Sequence, residues 1–150
     1  MRRKTVLATG AFDLLHYGHL DFLEEAKKAG GKNARLIVIV ARDKTIEARK
    51  GKRPIVPEDQ RRALMEALKP VDDAILGFED TNYEAVIEKL KPDVIAVGYD
   101  QSDIKRSVEE IVRKKGLKIK IFEAKKFSAD DIDSSSKIKK RVIELERNSS

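Results

Sequence analysis

Thr9-Gly10-Ala11-Phe12-Asp13-Leu14-Leu15-His16-Tyr17-Gly18-His19 decides how this chain is read. Before it stands Thr5-Val6-Leu7-Ala8, an apolar run with the pattern of a buried β-strand. After it, the apolar residues of Leu20 to Ala29 recur at helical spacing. The histidines therefore sit where a strand turns into a helix. In an open α/β sheet, ligands bind there, outside the carboxyl ends of the strands. Gly10, Ala11 and Gly18 have little or no side chain, so a ligand can approach the backbone closely. The free N–H groups of a helix N-terminus, with the helix dipole, attract phosphate. Imidazole N–H groups can donate to phosphate oxygens without a permanent charge. A lone histidine is more often a packing or surface residue. Here the chain's only two histidines stand three apart at one turn. That pattern favours the phosphate reading.

Working outward, Gly30-Gly31 closes the first helix, and Arg35 to Ala41 is a β-branched run suited to a buried parallel strand. Arg42 to Pro54 is polar and basic, and Arg49-Lys50-Gly51-Lys52-Arg53 is its densest positive run. A flexible loop is expected there. Val56 to Pro70 reads as a helix, with Pro57 near its start and acids in its first turn. Strands follow at Val71–Gly77, Asp93–Gly98 and Leu117–Phe122, the last alternating like an edge strand with one wet face. Helices are expected at Asn82–Leu90 and Asp103–Lys115, and from the serines at Ser134 to Glu146. The tail Arg147–Ser150 is expected to fray. This alternation implies an α/β chain, a doubly wound parallel sheet of about five strands. It forms a single domain over residues 1–150. Right-handed crossovers place all strand exits on one edge. The Gly10 turn, Arg42-Asp43, Gly98-Tyr99-Asp100 and the serine cluster are then expected to face one cleft.

Composition narrows the chemistry. Charged residues are 39% of the 150, against about 25% in average soluble proteins. The formal net charge is +6, which suits anionic ligands such as nucleotides and phosphorylated substrates. Aromatics are only 5%, so no base-stacking surface for nucleic acid is expected. There is no cysteine, hence no disulfide and no thiolate-bound metal. No apolar run is long enough to span a membrane, and Met1-Arg2-Arg3-Lys4 leads into a strand. A cytoplasmic location is expected.

Gly10-x-Phe12-Asp13-x-x-His16-x-Gly18-His19 resembles the signature of the HxGH nucleotidyltransferases, which include glycerol-3-phosphate cytidylyltransferases and archaeal FAD synthases. The resemblance implies a Rossmann-like fold in which both histidines contact the triphosphate of a bound nucleotide. Ile39-Val40-Ala41-Arg42-Asp43, Pro54-Ile55-x-Pro57-Glu58-x-Gln60-Arg61-Arg62 and Glu66 to Gly77 are more similar to archaeal FAD synthase. So is Gly98-x-Asp100-Gln101, where the cytidylyltransferases tend to carry Trp; this chain has none. FMN adenylyltransferase activity is thereby implied: ATP and FMN give FAD and pyrophosphate. The alternative is a glycerol-3-phosphate cytidylyltransferase, and a regulator that binds nucleotide without turnover is a third reading.

On this resemblance His16, His19 and Lys52 are the catalytic candidates, with Lys50-x-Lys52 matching a lysine pair of the cytidylyltransferases. Nucleotide contacts are expected from Thr9, Gly10, Ala11, Phe12, Asp13, His16, Gly18, His19, Lys50, Arg61, Gly98, Tyr99, Asp100, Ser135 and Ser136. Asp13 and Asp100 could position Mg²⁺ or another divalent cation or hydrogen-bond the ribose, and Asp13 is the expected metal ligand. The family's arginine before the serines is missing, and Asp130, Asp131 and Asp133 occupy that region. Arg141, Lys125 and Lys126 are candidate substitutes. Tyr17, Tyr99 and Phe127 are candidate platforms for a flavin ring. A homodimer is expected by analogy with the family.

Overall fold

A computed structural model of the chain describes residues 2–77, 82–126 and 134–149. Strand β1 (Thr5–Gly10) pairs in parallel with β2 (Arg35–Val40) on one side and β4 (Val94–Val97) on the other. Strand β3 (Asp73–Leu76) adds beyond β2, and β5 (Lys120–Glu123) beyond β4, giving the order β3-β2-β1-β4-β5. All pairings are parallel. Helices α1 (Tyr17–Ala29), α2 (Asp43–Lys50), α3 (Glu58–Glu66), α4 (Tyr83–Leu90), α5 (Ser102–Lys115) and α6 (Ser135–Asn148) fill the connections.

The two-residue period of the strands sorts their side chains into two cores. Val6, Ala8, Leu36, Val38 and Val40 pack with Leu23, Ala26 and Met65 from α1 and α3. Leu7, Ile37, Ile95 and Val97 pack with Val86, Ile87, Ile104 and Val108 from α4 and α5. Helices thus cover both faces, as the apolar runs of the central strands require. The chain runs outward from β1 through β2 to β3, then returns to the far side of β1 as β4. The switch point between β1 and β4 opens a crevice at their carboxyl ends, bordered by Gly10 and Gly98.

Several local expectations change. The helix expected over Val56–Pro70 spans only Glu58–Glu66, and the edge strand expected from Leu117 starts at Lys120 and runs to Glu123. β1 continues through Thr9 and Gly10, because both still pair with β2. The basic stretch after β2 is not a loop throughout. α2 runs to Lys50, and Gly51 ends it at φ 79°, a left-handed turn that glycine makes without steric cost. At the far end, α6 continues to Asn148, past the expected end at Glu146.

Candidate active site

The crevice is a cavity of about 460 Å³, within the range of small-molecule sites. Its wall contains Thr9, Gly10, Ala11, Phe12, Asp13, His16, Gly18 and His19 from β1 and the β1–α1 turn. Lys50 and Lys52 come from the end of α2 and beyond, Gly98, Tyr99 and Asp100 from the exit of β4, and Ser134, Ser135 and Ser136 from the start of α6. Four segments far apart in sequence thus converge beyond the carboxyl ends of β1 and β4. Arg61 is the one expected nucleotide contact that does not line the cavity.

His16 is the N-cap of α1, in extended conformation. The rings of His16 and His19 stack, with centroids 3.8 Å apart. His19 Nδ1 accepts the His16 backbone N–H at 3.3 Å, and the His19 N–H donates to the His16 carbonyl at 3.1 Å. A neutral His19 must then carry its proton on Nε2, the other ring nitrogen. Burial, and next the adjacent His16, push the pKa of His19 down to about 4, against a smaller opposing pull from Asp13. Near neutral pH His19 is therefore an uncharged donor.

Phe12 has a different place from the one expected. Its side chain is only 6% exposed, and its ring meets His19 edge-on with centroids 5.5 Å apart. A Cβ on Gly10 would stand 3.0 Å from that ring. The space left by Gly10 is therefore used by Phe12, which supports His19 from below.

Asp13 was expected to hold a metal. Its carboxylate is instead engaged: Oδ2 accepts the Ile55 N–H and Oδ1 the Val56 N–H, both at 2.9 Å. Each Asp13 oxygen thus already commits a lone pair to the backbone of the segment after α2. No group of three or more His, Cys, Asp or Glu side chains suited to a metal occurs among the described residues. Asp13 sits between Phe12 and Leu14, whose φ values of 54° and 48° are left-handed. Such conformations cost a non-glycine residue roughly 1–2 kcal/mol each, so the surrounding bonds must hold them.

Arg61 also departs from its expected role. It is fully buried. Nε donates to the Val56 carbonyl at 2.8 Å, and Nη1 to the carbonyls of Ala11 at 2.8 Å and Ala41 at 2.7 Å. Nη2 pairs with Asp43 at 2.6 Å. Four of its five N–H groups are engaged inside the protein and the side chain has no exposed surface, so it does not face a nucleotide in the cavity. Asp43 is thereby drawn away from the cleft. Arg42 follows, donating to the Gly77 carbonyl at 2.6 Å and pairing with Glu58 at 3.3 Å.

Gly98 and Gln101 form a bridge that sequence reading did not detect. The Gly98 N–H donates to Gln101 Oε1 at 2.7 Å, and Gln101 Nε2 donates to the Thr9 carbonyl at 2.9 Å. One side chain thus ties the ends of β4 and β1 across the switch point. The Gly98 N–H is consequently committed within the protein. At α6, Ser134 Oγ accepts the Lys137 N–H at 3.2 Å, an ordinary cap, and Ser135 Oγ donates to the Asp13 carbonyl. Ser136 is exposed on the cavity wall. Lys126 Nζ lies 5.8 Å from the centre of the Tyr99 ring, which is 47% exposed at the cavity wall. Tyr17 is 61% exposed and lies outside the cavity lining. Phe127, Asp130, Asp131 and Asp133 lie outside the described residues. Arg49, Lys125 and Lys139 join Lys50 and Lys52 around the cavity.

A model of the cytidylyltransferase-like family matches residues 7–141. The chain belongs to the cytidylyltransferase-like family. Family members similar to it include a protein named FAD synthase in Methanothermobacter marburgensis, 46% identical over 143 residues, covering 95% of this chain and 88% of that protein. Another so named, in Ferroglobus placidus, is 48% identical over 142 residues, covering 95% and 90%. Among solved structures, a lipopolysaccharide core biosynthesis protein from Thermoplasma volcanium superposes with a TM-score of 0.76 at 41% identity, covering 85% of this chain and all of that one. An Archaeoglobus fulgidus protein of unknown function shares the fold, with a TM-score of 0.62 at 20% identity over 87% of this chain and 96% of that one.

Proposed function

We propose that this chain transfers AMP from ATP to FMN, giving FAD and pyrophosphate. One observation carries the reading. The histidine pair, Lys50 and Lys52 at the end of α2 and just beyond it, and the start of α6 converge on one cavity, in a chain 46% identical to a protein named FAD synthase across 95% of its length. Family membership with that identity makes it a nucleotidyltransferase.

The FMN phosphate is the nucleophile. A phosphate monoester has a second pKa of about 6, so it is largely ionised at neutral pH and needs no general base. It attacks the α-phosphorus of ATP in line, and pyrophosphate leaves. The protein's task is positioning and charge stabilisation. Neutral His19 donates Nε2–H to a phosphate oxygen, and His16 stands beside it at the N-terminus of α1. Lys52 meets the charge that develops on transfer, with Lys50 beside it. Ser136 and the start of α6 face the outer phosphates. Tyr99 offers a face to the flavin ring. The divalent cation accompanies ATP: magnesium sites rely on substrate phosphates, water and one or two carboxylates. Asp100, exposed on the cavity wall, suits that place better than Asp13. A homodimer in the cytoplasm, acting on small molecules and not on nucleic acid or membranes, completes the reading. No helix among the described residues is long and apolar enough to cross a membrane.

The test is a competition. Equal ATP and CTP are offered with FMN, with glycerol-3-phosphate and with a sugar phosphate, and the products are separated. FAD as the main product is expected. CDP-glycerol without FAD would assign the chain to the cytidylyltransferase reading. A nucleotide sugar without FAD would likewise reject the FMN reading.

A further inference from the structure

The segment that carries Lys52 from α2 to α3 has few apolar anchors. Lys52, Arg53, Ile55 and Pro57 are exposed. A side chain on such a segment contributes to transfer only if its backbone is held. Asp13 and Arg61 are the two buried charged side chains among the described residues. Both grip this segment. Asp13 takes the N–H groups of Ile55 and Val56, and Arg61 takes the carbonyl of Val56. Charge-assisted bonds of this kind are roughly twice as strong as neutral ones. The grip is anchored on the histidine turn itself, because Arg61 also holds the Ala11 carbonyl and Ser135 holds that of Asp13.

We propose that Asp13 is a positioning residue, not a metal ligand: with Arg61 it clamps the Ile55–Val56 backbone and so sets Lys52 in register with the histidine turn. The two halves of the site are then one unit. A shift of Lys52 by about 1 Å would cost on the order of 10²-fold in rate. The inference rests on the assigned transfer reaction only for its kinetic consequence; the clamp itself is independent of it.

The experiment uses Asp13→Asn, which keeps size and one acceptor and leaves the buried bonds of Arg61 in place. Amide hydrogen exchange is followed across the whole chain. Exchange in the peptide spanning residues 51–57 should accelerate by about tenfold or more while β1, β2 and β4 stay protected. Unchanged exchange there overturns the clamp. Kinetics are then compared for wild type, Asp13→Asn, Lys52→Ala and the double variant. Asp13→Asn should lower kcat by about 10- to 100-fold at unchanged KM for ATP and unchanged half-saturating Mg²⁺. In the Lys52→Ala background it should add little, since the side chain it positions is gone. Independent, multiplying losses, or a tenfold rise in half-saturating Mg²⁺, would overturn the proposal. Absence of FAD from the wild type would reject the assigned reaction, and the exchange result would still decide the clamp.

Discussion

Replacing Arg61 with Met tests how far one buried side chain holds the site together. Met keeps most of the apolar volume but removes every donor. The carbonyls of Val56, Ala11 and Ala41 and the Asp43 carboxylate all lose their Arg61 partner. A buried acceptor left dry costs about 1–3 kcal/mol, and breaking a buried ion pair about 3–5 kcal/mol. The Asp43 side chain is 17% exposed, so water recovers part of its loss. Ala11 and Ala41 line the cavity, whose water can reach their carbonyls and places those two at the low end. A net loss of about 4–6 kcal/mol is expected, against about 5–15 kcal/mol for a whole domain. At this chain length the melting temperature should fall by about 10–20 °C. Urea titration at neutral pH followed by circular dichroism measures the free-energy loss, and a thermal scan measures the shift in melting temperature. Arg62→Met is the control: that side chain is 34% exposed and should cost about 1 kcal/mol or less. A loss below about 1.5 kcal/mol for Arg61→Met would refute the buried-hub reasoning.

The remaining predictions follow from the cavity wall. His16→Ala and His19→Ala should each lower kcat by about 10²-fold with folding retained, the usual loss for one missing donor to a developing oxyanion; near-normal turnover in both removes them from the mechanism. Lys52→Ala should reduce kcat more than it weakens binding of a non-hydrolysable ATP analogue, because its charge acts in the transition state; collapse of binding with kcat intact would make Lys52 a ground-state anchor. His19 has its pKa lowered from 6.5 to about 4 in the fold, so the unfolded chain binds more protons between those values. Stability from this source is complete above pH 6.5 and is lost as pH falls through about 4. Its size is at most about 3 kcal/mol at 1.36 kcal/mol per unit. Urea midpoints at pH 7.5 and 4.5 should drop further for wild type than for His19→Asn, and equal drops would remove His19 as the cause.

Sequence alone determined the strand–helix alternation, the parallel sheet and the turn that carries the histidines. The physical reason is that these signals are local. Apolar period, glycine and proline positions and the serine cap all act within a few residues of themselves. The pairing of His16 with His19 was legible for the same reason, since both sit in one helical turn. Tertiary structure decided what the charged side chains do. Asp13 and Val56 are 43 positions apart, and Arg61 and Ala11 are 50 apart. No local pattern says that a carboxylate in one turn will meet the backbone of another, or that an arginine one helical turn before the buried Met65 will find the partners that let it be fully buried. The bridge from Gln101 to the Thr9 carbonyl crosses 92 positions and exists only because β4 returns beside β1. Charge is cheap to place on a surface and costly to bury without partners. Burial of Asp13 and Arg61 therefore had to wait for the fold to supply the N–H groups, carbonyls and carboxylate that satisfy them.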